Sequence, residues 1–179
     1  DLFFYGGYSG KVANEVQKMI DSPDVKSYDK TPAMSSVKLT NQIVRNLSGK
    51  KHKYDITILN FAAPDMIGHT GSMDAAVKCC HVVDKQVARI VKAYLAHKGT
   101  VLITADHGNI EKMINLESDE LYTQHTTNKV PFVVVNKKLN KKTKISRSGS
   151  LSDITPTILK IVGVRKPKDM TGTPLIAKF

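Results

Sequence analysis

An aspartate and a histidine stand side by side at Asp106 and His107, directly after the apolar run 101–105. Titratable groups at the mouth of a buried strand are costly to dehydrate unless something pairs with them, and a bound metal ion is one such partner. A second pair, Asp65 and His69, stands four residues apart in NFAAPDMIGHTG (60–71). On a helical turn that spacing puts both side chains on one face, within reach of a single ion. Gly68 between them lets the backbone bend close. His125, in YTQHTTNKVPF, precedes the next apolar run and is placed to hang over the same rim from a loop. Taken singly, each aspartate reads as a cap or turn former and each histidine as a surface or hydrogen-bonded residue. Taken together, five such groups point to a metal site. Carboxylate and imidazole donors without a thiolate suit Mn, Zn or Fe better than Ca, and argue against a structural Cys-rich zinc site. His52, His81 and His97 read as surface histidines.

These side chains need a frame. Residues 2–5 read as a strand ended by Gly6 and Gly7, and 8–28 as loop-rich. Ser35 or Ser36 can cap a helix carrying Val37, Leu39, Ile43, Val44 and Leu47 on roughly one face, closed by Gly49. DITILNFA (55–62) is a near-continuous apolar run of the type buried on both faces of a parallel sheet. From 73 to 97, Val77, Cys80, Val83, Val87, Ile90, Val91, Tyr94 and Leu95 fall at helix spacing, with Gly99 as the stop. Strands follow at 101–105 and 130–136, and strand, helix, strand is the crossover unit of a parallel sheet. SLSDITPTILKIVGV (150–164) predicts a last helix, capped at Ser152 or Asp153, with Pro156 in its first turn and Gly163 closing it. Carboxyl ends of parallel strands are where open α/β sheets place ligands, so two strand ends deliver Asp and His to one rim.

Bulk properties narrow the class. The chain has 179 residues, 41% apolar and 24% charged, which predicts a globular protein able to bury a core. No apolar run approaches the roughly eighteen residues needed to cross a bilayer, and no export signal opens the chain, so no membrane partner is expected. Cys79 and Cys80 are adjacent in a helical pattern and offer no intrachain disulfide framework, which fits a reducing, cytoplasmic setting. The net charge of +11 raises the question of a polyanion. Its excess sits in KKHK (50–53) and NKKLNKKTKISR (136–147), with no aromatic side chains interleaved for base stacking, so it reads as solvated loop charge and no nucleic-acid partner is expected. The chain opens on Asp1 and drops straight into DLFFYGG, which reads as a cut inside a larger protein.

In order and spacing, NFAAPDMIGHTG, TADHGN (104–109), HTTNKVPF (125–132), SLSDITPTIL and MTGTPLI (170–176) resemble the C-terminal part of cofactor-independent phosphoglycerate mutase. DLFFYGG and SPDVKSYDKTPAMS (22–35) resemble two further stretches of that family, so the likeness covers essentially the whole chain. It implies an alkaline phosphatase-like α/β fold, a three-layer, mostly parallel sheet with helices on both faces, of which 1–179 would be the C-terminal portion of the metal-binding phosphatase domain. It also implies two Mn2+ ions, with Mg2+, Co2+ or Zn2+ as substitutes. Asp65, His69 and His125 would bind one, and Asp106 and His107 would contribute to the other. The phosphate of 3-phosphoglycerate would pass to a serine and return to the 2-hydroxyl, in a full-length enzyme expected to be a monomer. That serine, a further aspartate ligand on the family's first strand, and the phosphotransferase domain lie upstream in family members, and no residue here takes their place. Ser35, Ser36, Ser72 and Ser152 read as caps and turn residues. The chain alone is therefore expected to be inactive. Departures at Ala63 and at YSG (8–10) touch no ligand.

Two rival readings remain at this level. A stand-alone metal-dependent phosphatase or phosphodiesterase of the same superfamily would share the metal rim and release phosphate without isomerisation. A polyanion-binding module with decayed ligands would show salt-steep binding to nucleic acid.

Overall fold

The computed structural model describes residues 10, 12–49, 54–146 and 148–177. The expected strand at 2–5 and the basic run at 50–53 lie outside them. Four α-helices and two strands order the described residues: α1 (Ser36–Ser48), α2 (Ala63–Gly68), α3 (Met73–Ala96), β1 (Val101–Thr104), β2 (Phe132–Val135) and α4 (Ile154–Val162). Among them no helix is long and apolar enough to cross a membrane.

The core lies beneath α2. Ala63 and Ile67 on α2 are buried against Ala75, Ala76 and Cys79 on α3 and against Met113, and Tyr28, Met34, Val83 and Ile110 pack around them. Ile67 sits two residues from both Asp65 and His69, roughly half a helical turn away from each. Burying Ile67 therefore turns the two titratable side chains outward. Pro64 at the start of α2 has no N–H to leave unpaired.

Helix α3 buries Ala75, Ala76, Cys79, Gln86 and Ile90, a stripe at steps of three and four. The stripe expected through Val77 and Cys80 is displaced, since both are exposed. The small residues win that face because α2 packs closely there, and a methyl or a thiol fits where a branched side chain would hold the helices apart. Burial pushes the Cys79 thiol up to about 12, so it stays protonated and acts as a small apolar group. Against α1, Arg89 donates to Gln86 Oε1 at 2.6 Å and to Asn41 Oδ1 at 2.7 Å, which ties the helix pair through its polar margin. Helix α1 turns Ser36, Thr40 and Ile43 inward and leaves Val37 exposed, unlike the apolar face expected for it. The buried Thr40 hydroxyl donates to the Ser36 carbonyl at 2.9 Å and so costs little to bury.

The strands differ from the parallel expectation. β1 and β2 pair antiparallel, in the register Val101↔Val135 to Thr104↔Phe132. No helix separates them. Between them the chain doubles back through the bridges Ile114↔Leu121 and Gly108↔Thr126, and without a crossover helix it returns in the opposite direction. The expected strand at 55–62 takes no regular secondary structure and joins no ladder among the described residues, and Ile56 and Ile58 are 51% and 64% exposed.

The cap of the last helix also moves. Ser150 closes a capping box with Asp153 on a 3₁₀ turn, Leu151–Asp153, that leads into α4, and Asp153 makes no side-chain cap to α4 itself. Gly163 ends α4 in the left-handed conformation, φ 77°, as its position predicts. The buried Asp153 carboxylate accepts from the Thr173 N–H at 2.7 Å and the Ser150 N–H at 2.8 Å, fastening the segment after Met170 to the start of α4. Those N–H groups, Thr173 first, hold the Asp153 carboxyl below its ordinary value. A depressed folded-state pKa stabilises the fold above the unfolded value near 3.9, and that stability is lost as pH falls through the folded value. Asp153→Ala is therefore expected to lower the thermal midpoint at pH 7, with the gap to wild type narrowing below about pH 4. Paired melts at pH 7 and pH 3 check this, and a gap independent of pH would contradict it.

Candidate metal centre

Three segments bring the five candidate ligands to one place. Helix α2 presents Asp65, with His69 at its C-cap. The loop leaving β1 carries Asp106 and His107, and the loop approaching β2 carries His125. Asp65 Oδ1 stands 3.3 Å from His69 Nε2 and 3.1 Å from His125 Nε2, and the two Nε2 atoms are 3.1 Å apart. The His107 ring stacks on His125 with centroids 3.8 Å apart, and its Nε2 lies 3.7 Å from Asp106 Oδ2. One donor atom each from Asp65, His107 and His125 also falls within a 4.8 Å span. The Asp65, His69 and His125 triangle is the tighter of the two groupings, and His107 borders it through the His125 ring.

The triangle fits a metal ion. Donors held by one ion at about 2.1 Å stand roughly 3.0 Å apart at octahedral angles and roughly 3.4 Å apart at tetrahedral ones. The observed edges fall in that range. His69 Nδ1 lies 2.6 Å from the Thr123 carbonyl oxygen, which can only accept, so Nδ1 carries the proton and Nε2 turns a lone pair toward Asp65 and His125. The Asn109 Nδ2 amide, 2.6 Å from Asp65 Oδ1 and 3.3 Å from His69 Nε2, faces the same point, and a cation bound there would meet a carboxylate oxygen and an imidazole lone pair already turned toward it. The bond from Nδ1 to a backbone carbonyl is the second-layer arrangement that orients metal-binding histidines.

Asn109 adds a part that the sequence did not disclose. Its Nδ2 donates to Asp65 Oδ1 at 2.6 Å and to the Asp65 carbonyl at 3.3 Å, fixing the rotation of that carboxylate. Asn109 is 4% exposed, and a Cβ at Gly68 would stand 2.2 Å from its Oδ1. Gly68 thus makes room for the Asn109 amide as well as for the turn of the chain. Of the serines read as caps, Ser72 caps α3, accepting from Ala75 N at 3.4 Å, and Ser35 Oγ donates to the Asp21 carbonyl at 2.6 Å.

A family model described as the metalloenzyme superfamily matches residues 2–166. The chain belongs to the metalloenzyme superfamily. Its similarity to individual members is extensive along this chain and partial along theirs. It is 47% identical over 175 residues to a 2,3-bisphosphoglycerate-independent phosphoglycerate mutase of Clostridium kluyveri, covering 98% of this chain and 33% of that protein. It is 42% identical to 2,3-bisphosphoglycerate-independent phosphoglycerate mutase 2 of Methanosarcina barkeri, again over 98% of this chain and 33% of the relative. The fold is similar to that of the Leishmania mexicana phosphoglycerate mutase solved at low cobalt concentration, with a TM-score of 0.87 at 26% identity, over 99% of this chain and 35% of that one. The chain spans about a third of the length of the curated relatives it matches. Membership of the superfamily accords with an α/β fold and with divalent-metal binding, in line with the grouping of Asp65, His107 and His125.

Within that superfamily assignment, Asn109 and the Thr123 carbonyl are the residues that reading the sequence alone missed. Asn109 lies 44 positions from Asp65, and no local pattern joins them. Its signal is its place two residues beyond His107, which marks it for scrutiny without naming its partner.

Proposed function

We propose that this chain is the C-terminal, metal-holding portion of the phosphatase domain of a cofactor-independent phosphoglycerate mutase, which interconverts 3-phosphoglycerate and 2-phosphoglycerate. The observation that carries the reading is the Asp65, His69 and His125 donor triangle, set in a chain whose relatives are named for that reaction. Asp65, His69 and His125 would hold one divalent ion and Asp106 with His107 would contribute to a second, Mn2+ being the first choice for both. Bound there, divalent ions supply a lowered pKa for a serine hydroxyl attacking phosphorus and positive charge against the phosphoryl oxygens.

The chain's own residues prepare that chemistry. His69 is locked in one tautomer by Thr123, Asp65 in one rotation by Asn109, and His125 is held beside both. Asp106, with its side chain 57% exposed, faces outward from the end of β1, where a substrate and the rest of the protein have access. The nucleophilic serine and the remaining carboxylate ligand come, in this reading, from the part of the full-length protein upstream of Asp1. There the run 56–62 and β1 would join a larger, mostly parallel, three-layer sheet, which accounts for the exposure of Ile56 and Ile58.

The test is isomerisation by the full-length protein. Metal-stripped protein is expected to interconvert the two phosphoglycerates only after Mn2+ is added back, and residues 1–179 alone to do so under no condition. Release of inorganic phosphate from unrelated monoesters, with no isomerisation, would replace this reading with a plain phosphatase.

A further inference from the structure

Glu111 is no candidate ligand, yet its carboxylate reaches both loops that carry ligands. Oε2 accepts the Asn109 N–H at 2.6 Å. Oε1 accepts Asn128 Nδ2 at 3.0 Å and also the Thr126 hydroxyl. Thr126 follows His125 directly, and its own N–H donates to the Gly108 carbonyl at 2.8 Å. The loops close so tightly that a Cβ at Gly108 would stand 2.2 Å from Thr126 Oγ1 and 2.4 Å from Glu111 Oε1. Through Asn109, whose side chain grips Asp65, the same network extends to α2.

This matters most for His125. Its side chain is 49% exposed and lies outside the apolar core, so beyond the stacked His107 ring no packing sets its place. What holds it is polar: the Tyr122 hydroxyl on its carbonyl at 3.4 Å, the Gly108–Thr126 bridge, and the Glu111 cross-link one and three residues further on. Of these, only the bridge and the cross-link tie the His125 loop to the loop bearing Asp106 and His107. We infer that Glu111 is a positioning residue of the metal centre, whose carboxylate cross-links loop 106–111 to loop 125–128 and so sets His125 Nε2 against Asp65, His69 and the His107 ring. The inference rests on the metal-centre reading above. Acceptors with charge make the stronger hydrogen bonds, and a carboxylate accepts from both loops at once, whereas an amide at the same position has one acceptor oxygen and would turn a donor toward either the Asn109 N–H or the Asn128 amide.

The experiment titrates Mn2+ calorimetrically into metal-stripped full-length protein: wild type, Glu111→Gln, Thr126→Val and the double variant. Neither position is a candidate ligand. Loss of a group that orients a ligand is expected to weaken Mn2+ binding about 10- to 100-fold in Glu111→Gln, with Thr126→Val following in the same direction. Because both changes cut one link, the double variant is expected to bind within about threefold of the weaker single variant. Melting of the metal-free variants is expected to stay near wild type. Affinities within twofold of wild type in the single variants, fully additive losses, or a lowered melting point with unchanged affinity would each overturn the inference. If Glu111→Gln does not fold, Thr126→Val decides alone, and unchanged affinity there overturns it. A wild-type protein that takes up no Mn2+ overturns the metal-centre reading itself, whereas wild-type uptake with unchanged variants overturns only the role of Glu111.

Discussion

Asp65→Asn in the full-length protein is expected to weaken binding of the Mn2+ ion proposed for the Asp65, His69 and His125 triangle by on the order of 100-fold or more, with the fold retained. Asp65 brings the one formal charge to a triangle otherwise made of imidazoles, and its Oδ1 is the atom that both Nε2 groups face. The substitution keeps the shape of the side chain, and the amide oxygen can still accept from Asn109, so packing under α2 is little changed. What goes is the negative charge and the strongest oxygen donor, a change larger than those caused by altering the groups that merely orient ligands, which run about 10- to 100-fold. Equilibrium dialysis against Mn2+, with a thermal melt of the metal-free protein as control, measures it. Affinity within threefold of wild type would remove Asp65 from the site.

That Asp65 can be singled out before any coordinates are known has a physical reason. Carboxylate and imidazole four apart on a short helix share a face by geometry alone, and the buried Ile67 between them decides that the face points outward. The positions of Asp106 and His107 are legible for a similar reason, since an apolar strand that ends in two titratable groups has few other uses for them. His125 was placed only as overhanging the rim, and its 3.1 Å approach to Asp65 depends on loops whose course no periodicity encodes.

Other features escape the sequence for reasons of the same kind. Short runs of apolar, mostly β-branched residues tell that 101–104 and 132–135 are strands, but such a run carries no information about the partner or its direction. That direction follows from the missing crossover helix and the doubled-back loop between them. On α3 the rule that branched apolar residues face inward picks Val77, whereas the tight contact with α2 selects Ala75, Ala76 and Cys79. Asn109, Thr123 and Glu111 act through hydrogen bonds that join distant segments, so their types alone reveal nothing of what they hold.

Asp106→Asn separates the two proposed ions. Its side chain lies outside the apolar core and is 57% exposed, so losing the charge leaves folding and the Asp65, His69 and His125 triangle as they are. The proposed second ion, by contrast, would have only Asp106 and His107 from this chain, and neutralising Asp106 would remove the only formal charge this chain gives it. Metal content of the full-length protein is then expected to fall from two ions per chain to one, with isomerisation lost altogether and the melting point of the metal-free protein unchanged. Total rather than partial loss is expected because, in the proposed reaction, one ion would lower the pKa of the serine hydroxyl while the other would offset phosphoryl charge, and a single ion would supply only one of these. Metal analysis of the dialysed protein alongside a turnover assay distinguishes the outcomes. One ion and no turnover assigns Asp106 to the second ion; two ions with turnover intact would place Asp106 outside the reaction and leave His107 to the His125 side of the centre.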